Sequence, residues 1–244
     1  MIIRNRETEV DLKTRKKRKF KKRYWLLIDL AVAIVIFSLL LYKPARYKPR
    51  DIAPTGNKQK EISQYLTNVL LPQLYNGAQR QEPFDLVVSQ KGINETIARF
   101  KWPQESNGVI FSAPTVLFVP ESIVLMGMAN MKGVDLVVTV EARPSLDEEG
   151  LLNLRVEKVK IGAMNITPIA RLLAKRMYTE RLATIPVDTE NLRAKIAASL
   201  LNGEPFEPIF NIRDIFDSNE DIKLRVEKIT ITQEKLTIRL APVS

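Results

Sequence analysis

Leu152-Asn-Leu-Arg-Val-Glu-Lys-Val-Lys-Ile161 and Ile222-Lys-Leu-Arg-Val-Glu-Lys-Ile-Thr-Ile231 share the pentapeptide Leu-Arg-Val-Glu-Lys intact. In both, apolar residues alternate with polar ones (152, 154, 156; 222, 224, 226) and then change parity (159, 161; 229, 231). Successive side chains of a strand point to opposite faces, so alternation marks a strand with one covered face. A change of parity needs one extra residue, a β-bulge, which bends the strand and increases its twist. Two charged residues sit at each slip, Glu157-Lys158 and Glu227-Lys228. Two long strands bent at the same place predict a curved antiparallel sheet.

The flanking sequence supplies the rest of that sheet and its cover. Strand signals lie at 83–89, 109–111, 115–119 and 122–128, separated by Pro or turn residues. Val134–Ala142 alternates, with Leu136, Val138 and Val140 on one face and Asp135, Thr139 and Glu141 on the other, Val137 among them. The turn Asp147-Glu-Glu-Gly150 leads into the first of the two related strands. Further strands are expected over 208–213, 222–231 and 235–240. Helical spacing marks 59–74, limited by Pro72, and 92–100. Thr167 and Pro168 open a helix striped by Ile169, Leu172, Leu173 and Met177; Asp188 or Thr189 opens another, with Leu192, Ile196 and Leu200 aligned and Gly203 at its end. The predicted class is α+β: a strongly twisted antiparallel sheet wrapped around helices. Leu136, Val138, Val140, Leu154, Val156, Leu173 and Met177 are the candidates to line an elongated apolar groove, unless the helices fill the curve as a core.

The chain has 244 residues and a formal net charge of +10, very unevenly spread. Residues 1–23 hold 11 Lys/Arg against 3 acids, and residues 24–51 hold 4 against 2. The remaining 52–244 hold 23 of each sign, so the body of the protein is neutral. Nine of the eleven residues from Lys13 to Arg23 are basic. Directly after them, residues 24–42 carry a single charge, Asp29, with Tyr24, Trp25 and Tyr42 at the two ends. At ~1.5 Å per residue, such a run reaches about 28 Å, close to the hydrocarbon thickness of a bilayer. It reads as a transmembrane signal-anchor, because Tyr42-Lys43-Pro44-Ala45-Arg46 offers no small-x-small cleavage site. The excess of positive charge ahead of it places the N-terminus in the cytoplasm and the C-terminal body outside. The expected organisation is a basic tail (1–23), a membrane helix (24–42), a Pro-rich juxtamembrane linker (43–58) and an extracytoplasmic domain (59–244). Lys16, Lys17, Arg18, Lys19, Lys21, Lys22 and Arg23 then face the anionic inner leaflet. Asp29 lies near enough to the inner headgroups to pair with Lys22 or Arg23, or to meet a partner helix.

The composition also excludes much chemistry. With no Cys and no His, Ser-His-Asp and Cys-His nucleophilic sites, zinc centres and iron–sulfur clusters have no ligands. No Gly-rich phosphate loop exists. Ser89 and Lys91 sit at a strand end and read as a turn; Asp147, Glu148 and Glu149 read as a solvated turn rather than a Ca²⁺ site. Phe20 alone interrupts the basic tail with an aromatic, so nucleic acid is not an expected partner. The expectation is a binding module without cofactor or metal, and not an enzyme.

In Phe84–Ser89 and Gly92–Phe100, in Pro144-Ser-Leu-Asp-Glu-Glu-Gly150, in Leu151–Ile161 with Gly162 and Pro168, and in the closing pair Lys223–Ile231 and Lys235–Ala241, the chain resembles the bacterial family exemplified by YpmS. The resemblance is one of pattern over about 84–242. It implies one N-terminal anchor and an extracytoplasmic α+β domain related to the tubular lipid-binding (TULIP, LmeA-like) domains. In those, a twisted sheet wraps a helix and acyl chains lie in the seam. The resemblance implies lipid binding or lipid sensing at the cell envelope, and carries over no individual ligand residue. The layout is also similar to FtsQ-type division proteins, which makes a scaffold of an envelope or cell-division complex the alternative.

Overall fold

The structure, a computed structural model, describes residues 24–25, 27–48, 63–106, 108–184, 192–215 and 222–243. The basic residues Lys16 to Arg23, most of the expected linker and the expected caps Asp188 and Thr189 lie outside these. Residues 24, 25 and 27–40 are helical, and we call 27–40 α1. Fourteen residues rise about 21 Å. No helix among the described residues is long and apolar enough to cross a membrane. The large apolar side chains of α1 are exposed along most of its length, and Leu40 at its end is half-buried.

A π-helical turn over Leu66–Leu70 runs into α2 (Leu71–Gln79). Pro72 was expected to end this helix but sits in the first turn of α2. There its missing N–H breaks nothing, because the wider π turn has already displaced the ladder. Then follow β1 (Phe84–Ser89), α3 (Gln90–Ala98), β2 (Gln104–Ser106), β3 (Val109–Phe111), β4 (Thr115–Val119), β5 (Ser122–Met131), β6 (Val134–Leu146), β7 (Leu152–Ile161) and β8 (Met164–Asn165). The chain closes with α4 (Thr167–Thr184), α5 (Leu192–Asn202), β9 (Ile209–Asn211), α6 (Ile212–Ile215), β10 (Lys223–Thr232) and β11 (Lys235–Val243). Arg213, placed in a strand by the sequence reading, falls in α6. Ser89 is the N-cap of α3, its Oγ accepting from the Gly92 N–H at 3.1 Å.

The class is α+β with antiparallel sheets. The strands divide between two sheets rather than forming one. The smaller runs β1-β11-β10-β9; the larger runs β2-β3-β5-β6-β7-β8, with β4 also on β5. The two related strands, β7 and β10, lie one in each. Both carry the predicted bulge, and at the same residue of the shared pentapeptide. In β7, Val156 faces Ala142 and Lys158 faces Glu141, leaving Glu157 unpaired. In β10, Val226 faces Leu240 and Lys228 faces Arg239, leaving Glu227 unpaired. Each extra glutamate meets an arginine of the next strand: Glu157 pairs with Arg143 (3.4 Å) and Glu227 with Arg239 (3.5 Å). Each arginine also holds a second acid, Glu121 at 3.0 Å and Asp85 at 3.5 Å.

The bulges keep the apolar faces continuous. On the smaller sheet, Leu86, Val88, Leu224, Val226, Ile231 and Leu240 pack with Leu74 and Ala78 of α2, Phe118 of β4 and Ile212 as the main core. Gly77 lies flat under the Phe84 ring, where a Cβ has no room. The two sheets meet where β10 packs on β4 and β6, and Ile123 and Leu146 carry the core onto the larger sheet.

Candidate functional site

The larger sheet extends the core face outward. Directly opposed residues share a face of an antiparallel pair. The register sets Leu125 against Val140, Gly127 against Val138 and Ala129 against Leu136. Across the next seam, Val138 faces Ile161, Val140 faces Val159, Ala142 faces Val156 and Pro144 faces Leu154. One apolar surface therefore spans three strands. It contains Leu136, Val138, Val140, Leu154 and Val156, five of the seven groove candidates, and all five are half-buried. From Leu136 to Leu146 it runs about 33 Å at ~3.3 Å per residue. The contrast with the smaller sheet is sharp. Leu224 and Val226, the counterparts of Leu154 and Val156 in the shared pentapeptide, are buried, Leu224 completely.

The other face of β6 departs from the sequence reading. Val137, assigned with the polar side, is the most buried residue of the strand, only 1% exposed. On that face it lies opposite the half-buried Met128 of β5, with the buried Met126 and Val124 further along the strand. The chain leaving α1 is bonded to the same sheet. Leu39 O accepts from the Ala163 N–H (2.8 Å), Lys43 pairs with Asp135 (3.0 Å), and the Tyr47 hydroxyl donates to Ala113 O (3.4 Å). Lys43 and Tyr47 therefore bond this segment to the larger sheet. The close approach of α1 requires a glycine at 162, where φ is +58° and a Cβ would strike the Leu39 and Leu40 carbonyls.

Asp135 fixes the segment after α1. It accepts from Asn130 Nδ2 (2.6 Å) and from Lys43 Nζ (3.0 Å). The Asn130 amide first, then the Lys43 ammonium, hold its carboxyl below the usual carboxylate range. A lowered folded pKa gives stability that is present above the ordinary value and is lost as pH falls through the folded one. Asp135→Asn is therefore expected to lower the melting temperature by a constant amount from pH 8 to pH 5. The difference from wild type should vanish only below about pH 4. Melting curves of both proteins across that range check it.

The outer edge of β7 is closed by side chains rather than by a full strand. β8 pairs only with Lys160 and Ile161. Elsewhere, the Leu154 N–H donates to Ser199 Oγ (2.8 Å), the Val159 N–H donates to Thr167 Oγ1 (2.8 Å), and Arg171 Nη2 donates to Val156 O (2.9 Å). Leu152 and Phe206 exchange backbone bonds at 2.8 and 3.0 Å. The Thr167 hydroxyl is thus engaged by β7, and Asn165 Oδ1, accepting from the Thr167 N–H at 3.1 Å, takes the capping place expected of Thr167.

This edge role turns α4 away from the sequence expectation. The helix puts Thr167, Ala170 and Ala174 inward and its stripe outward: Ile169 is 60%, Leu172 72% and Leu173 53% exposed. Leu173 is therefore not in the apolar surface, and the Met177 side chain lies outside the described residues. Between α4, α5 and the β7 edge, a cleft of about 640 Å³ is lined by Asn153, Arg155, Val156, Arg171, Lys175, Leu200, Leu201, Asn202, Gly203 and Glu204. Sequence reasoning missed this cleft, because its residues come from three elements with no shared motif. At the acidic turn, Asp147 Oδ1 accepts from the Glu149 and Leu151 N–H groups (3.1 and 2.8 Å). Among the described residues, no group of three or more acids is placed to hold a metal ion. No protein-family model matches the chain, and no curated protein matches it.

Proposed function

We propose that the chain is a membrane-anchored binding module of the cell envelope that shields lipid acyl chains on the apolar face of its larger sheet, and that it is not an enzyme. In this reading residues 24–42 span the membrane, the basic tail stays in the cytoplasm against anionic lipid, and the sheet domain lies outside, its twisted larger sheet wrapping towards α4 and α5. One observation carries it. The same Leu-Arg-Val-Glu-Lys strand, with the same bulge, is sealed in one sheet and left half-covered in the other. The open face is about 33 Å long by strand rise, twice the ~15 Å depth of one leaflet's hydrocarbon. Burial of chain methylenes there stabilises a bound lipid by about 0.8 kcal/mol per CH₂. The mechanism is passive and needs no cofactor.

A second reading, a scaffold of an envelope or cell-division complex, is favoured by the outward stripe Ile169, Leu172 and Leu173, an apolar patch of the kind that marks contact sites. One experiment separates the two. The full chain is extracted from membranes in mild detergent and its bound molecules are identified by mass spectrometry. Stoichiometric lipid is expected. A lipid-free chain accompanied by a stoichiometric protein would replace the first reading with the second.

A further inference from the structure

We propose that the end of the larger sheet beside α1 is seated on the outer leaflet of the bilayer, with Phe111, Met131 and Val134 in contact with lipid; this rests on the reading of residues 24–42 as a membrane span and sets how the sheet stands on it. Two bonds tie that end of the sheet to the exit of the span. The Ala163 N–H donates to Leu39 O (2.8 Å), and Lys43 Nζ donates to Asp135 Oδ2 (3.0 Å). Leu39 precedes Tyr42, the aromatic at the headgroup level of the span, and Lys43 follows it. Ala163 and Asp135 are therefore held near that level. Val134 is the chain neighbour of Asp135, about 3.8 Å away between Cα atoms. Met131 is the partner of Val134 across the β5–β6 turn, at about 5 Å. Interfacial apolar residues sink ~5–10 Å into the boundary between headgroups and acyl chains, so both side chains are within reach of it.

The distribution of exposed apolar side chains selects the same end. Among the described residues, the large apolar strand residues left exposed are Ile110, Phe111, Leu125, Met131 and Val134. All but Leu125 lie at this end. Val109 faces Met131 and Phe111 faces Ala129, so Phe111, Met131 and Val134 continue the row of Leu136, Val138 and Val140 past its half-buried part. An apolar patch that grows more exposed towards the exit of a membrane span fits lipid as its cover. The two turns that bound β6 also differ in charge. The near turn carries Lys132 and no acid, while the far one, about 40 Å along the strand, carries Asp147, Glu148 and Glu149. Anionic lipid attracts the first and repels the second.

The test uses the full chain in vesicles of phosphatidylcholine and phosphatidylglycerol in equal parts. The chain has no cysteine, so Lys132→Cys, Glu148→Cys and Ile34→Cys each accept one fluorescent label, at the near turn, at the far turn and within the span. Nitroxide-bearing phospholipid quenches from the bilayer, and iodide quenches from water. The Lys132→Cys label is expected to lose most of its fluorescence to the nitroxide, and the Glu148→Cys label to iodide alone. Adding Met131→Ser/Val134→Ser should release the Lys132→Cys label to iodide. If that label is as open to iodide as the one in Glu148→Cys, while lipid quenches Ile34→Cys, the seat is overturned and the span stands. Lipid quenching that survives Met131→Ser/Val134→Ser overturns the apolar contact, and equal lipid quenching at both turns overturns the end-on stance. Shielding from iodide without lipid quenching replaces the bilayer by a second copy of the chain. An Ile34→Cys label that lipid does not quench overturns the span itself, and the seat with it.

Discussion

Leu224→Glu is expected to abolish folding, and Leu154→Glu, on the proposed reading, to leave a folded chain that no longer retains lipid. The two leucines hold the same place in the shared pentapeptide, two residues before each valine and three before each bulged glutamate. Their surroundings differ. Leu224 is completely buried among Leu240, Val226 and the other residues of the main core. An unpaired carboxylate there costs several kcal/mol, comparable with the whole stability of a domain, ~5–15 kcal/mol. Leu154 is half-buried opposite Pro144, so its carboxylate can stay partly hydrated. The fold then survives with a melting temperature a few degrees lower, while the charge sits where acyl chains would lie. Retained lipid should fall at least about tenfold, since desolvating the charge costs more than the 1.4 kcal/mol that tenfold requires. Circular dichroism and mass spectrometry of extracted chains give both answers. The same charge at Lys132, in the exposed β5–β6 turn, is the control and should change neither. If Leu154→Glu keeps its full lipid content, the apolar face is not the binding surface.

Removing Glu157 is expected to be tolerated, and removing Arg155, two residues earlier, is not. Glu157 is the unpaired residue of the bulge. Without it Val156 and Lys158 become neighbours, and every other side chain of β7 keeps its face. The losses are the local bend and the Arg143 ion pair, together about 1 kcal/mol. Deleting Arg155 leaves two repairs, both costly. The strand before it can shift, which takes Leu152 and Leu154 off the apolar face and brings Asn153 onto it. Alternatively the bulge can be consumed, which turns Val156 away and sets Glu157 opposite Ala142. Either exchange costs about 2–4 kcal/mol. Chemical denaturation of the two deletion variants measures the gap. Equal destabilisation would mean that register in β7 is not set by the apolar face.

That asymmetry also shows what the chain discloses about itself. The parity change at 156–159 and 226–229 narrowed both bulges to a Glu-Lys pair, because a strand with one covered face writes its register into the alternation. The same logic separated Leu136, Val138 and Val140 from Asp135 and Thr139. It went wrong on depth. Val137 is buried on a face to which the segment from Leu39 to Tyr47 is bonded, and nothing within β6 records what a distant segment covers. The helix α4 was misjudged for a related reason. Its inward positions are Thr167 and two alanines, with Arg171 reaching the β7 edge, and such small or polar contacts carry no hydrophobic period. The two-sheet division was equally hidden, since each bulged strand is consistent with one curved sheet or with two. The cleft beside the β7 edge assembles Arg155 from a strand with Arg171 and Lys175 from a helix, and only the fold brings them together.

On the proposed anchored reading, the closed edge of β7 has a consequence for how copies of the chain share a membrane. An open strand edge offers a row of unsatisfied N–H and C=O groups to any neighbour of the same kind. Chains confined to a plane would meet edge to edge at high local concentration. Here Ser199, Thr167 and Arg171 occupy the Leu154, Val159 and Val156 backbone groups, and Phe206 takes those of Leu152. At this edge the sheet ends inside its own molecule, so crowding adds no strand beyond β7.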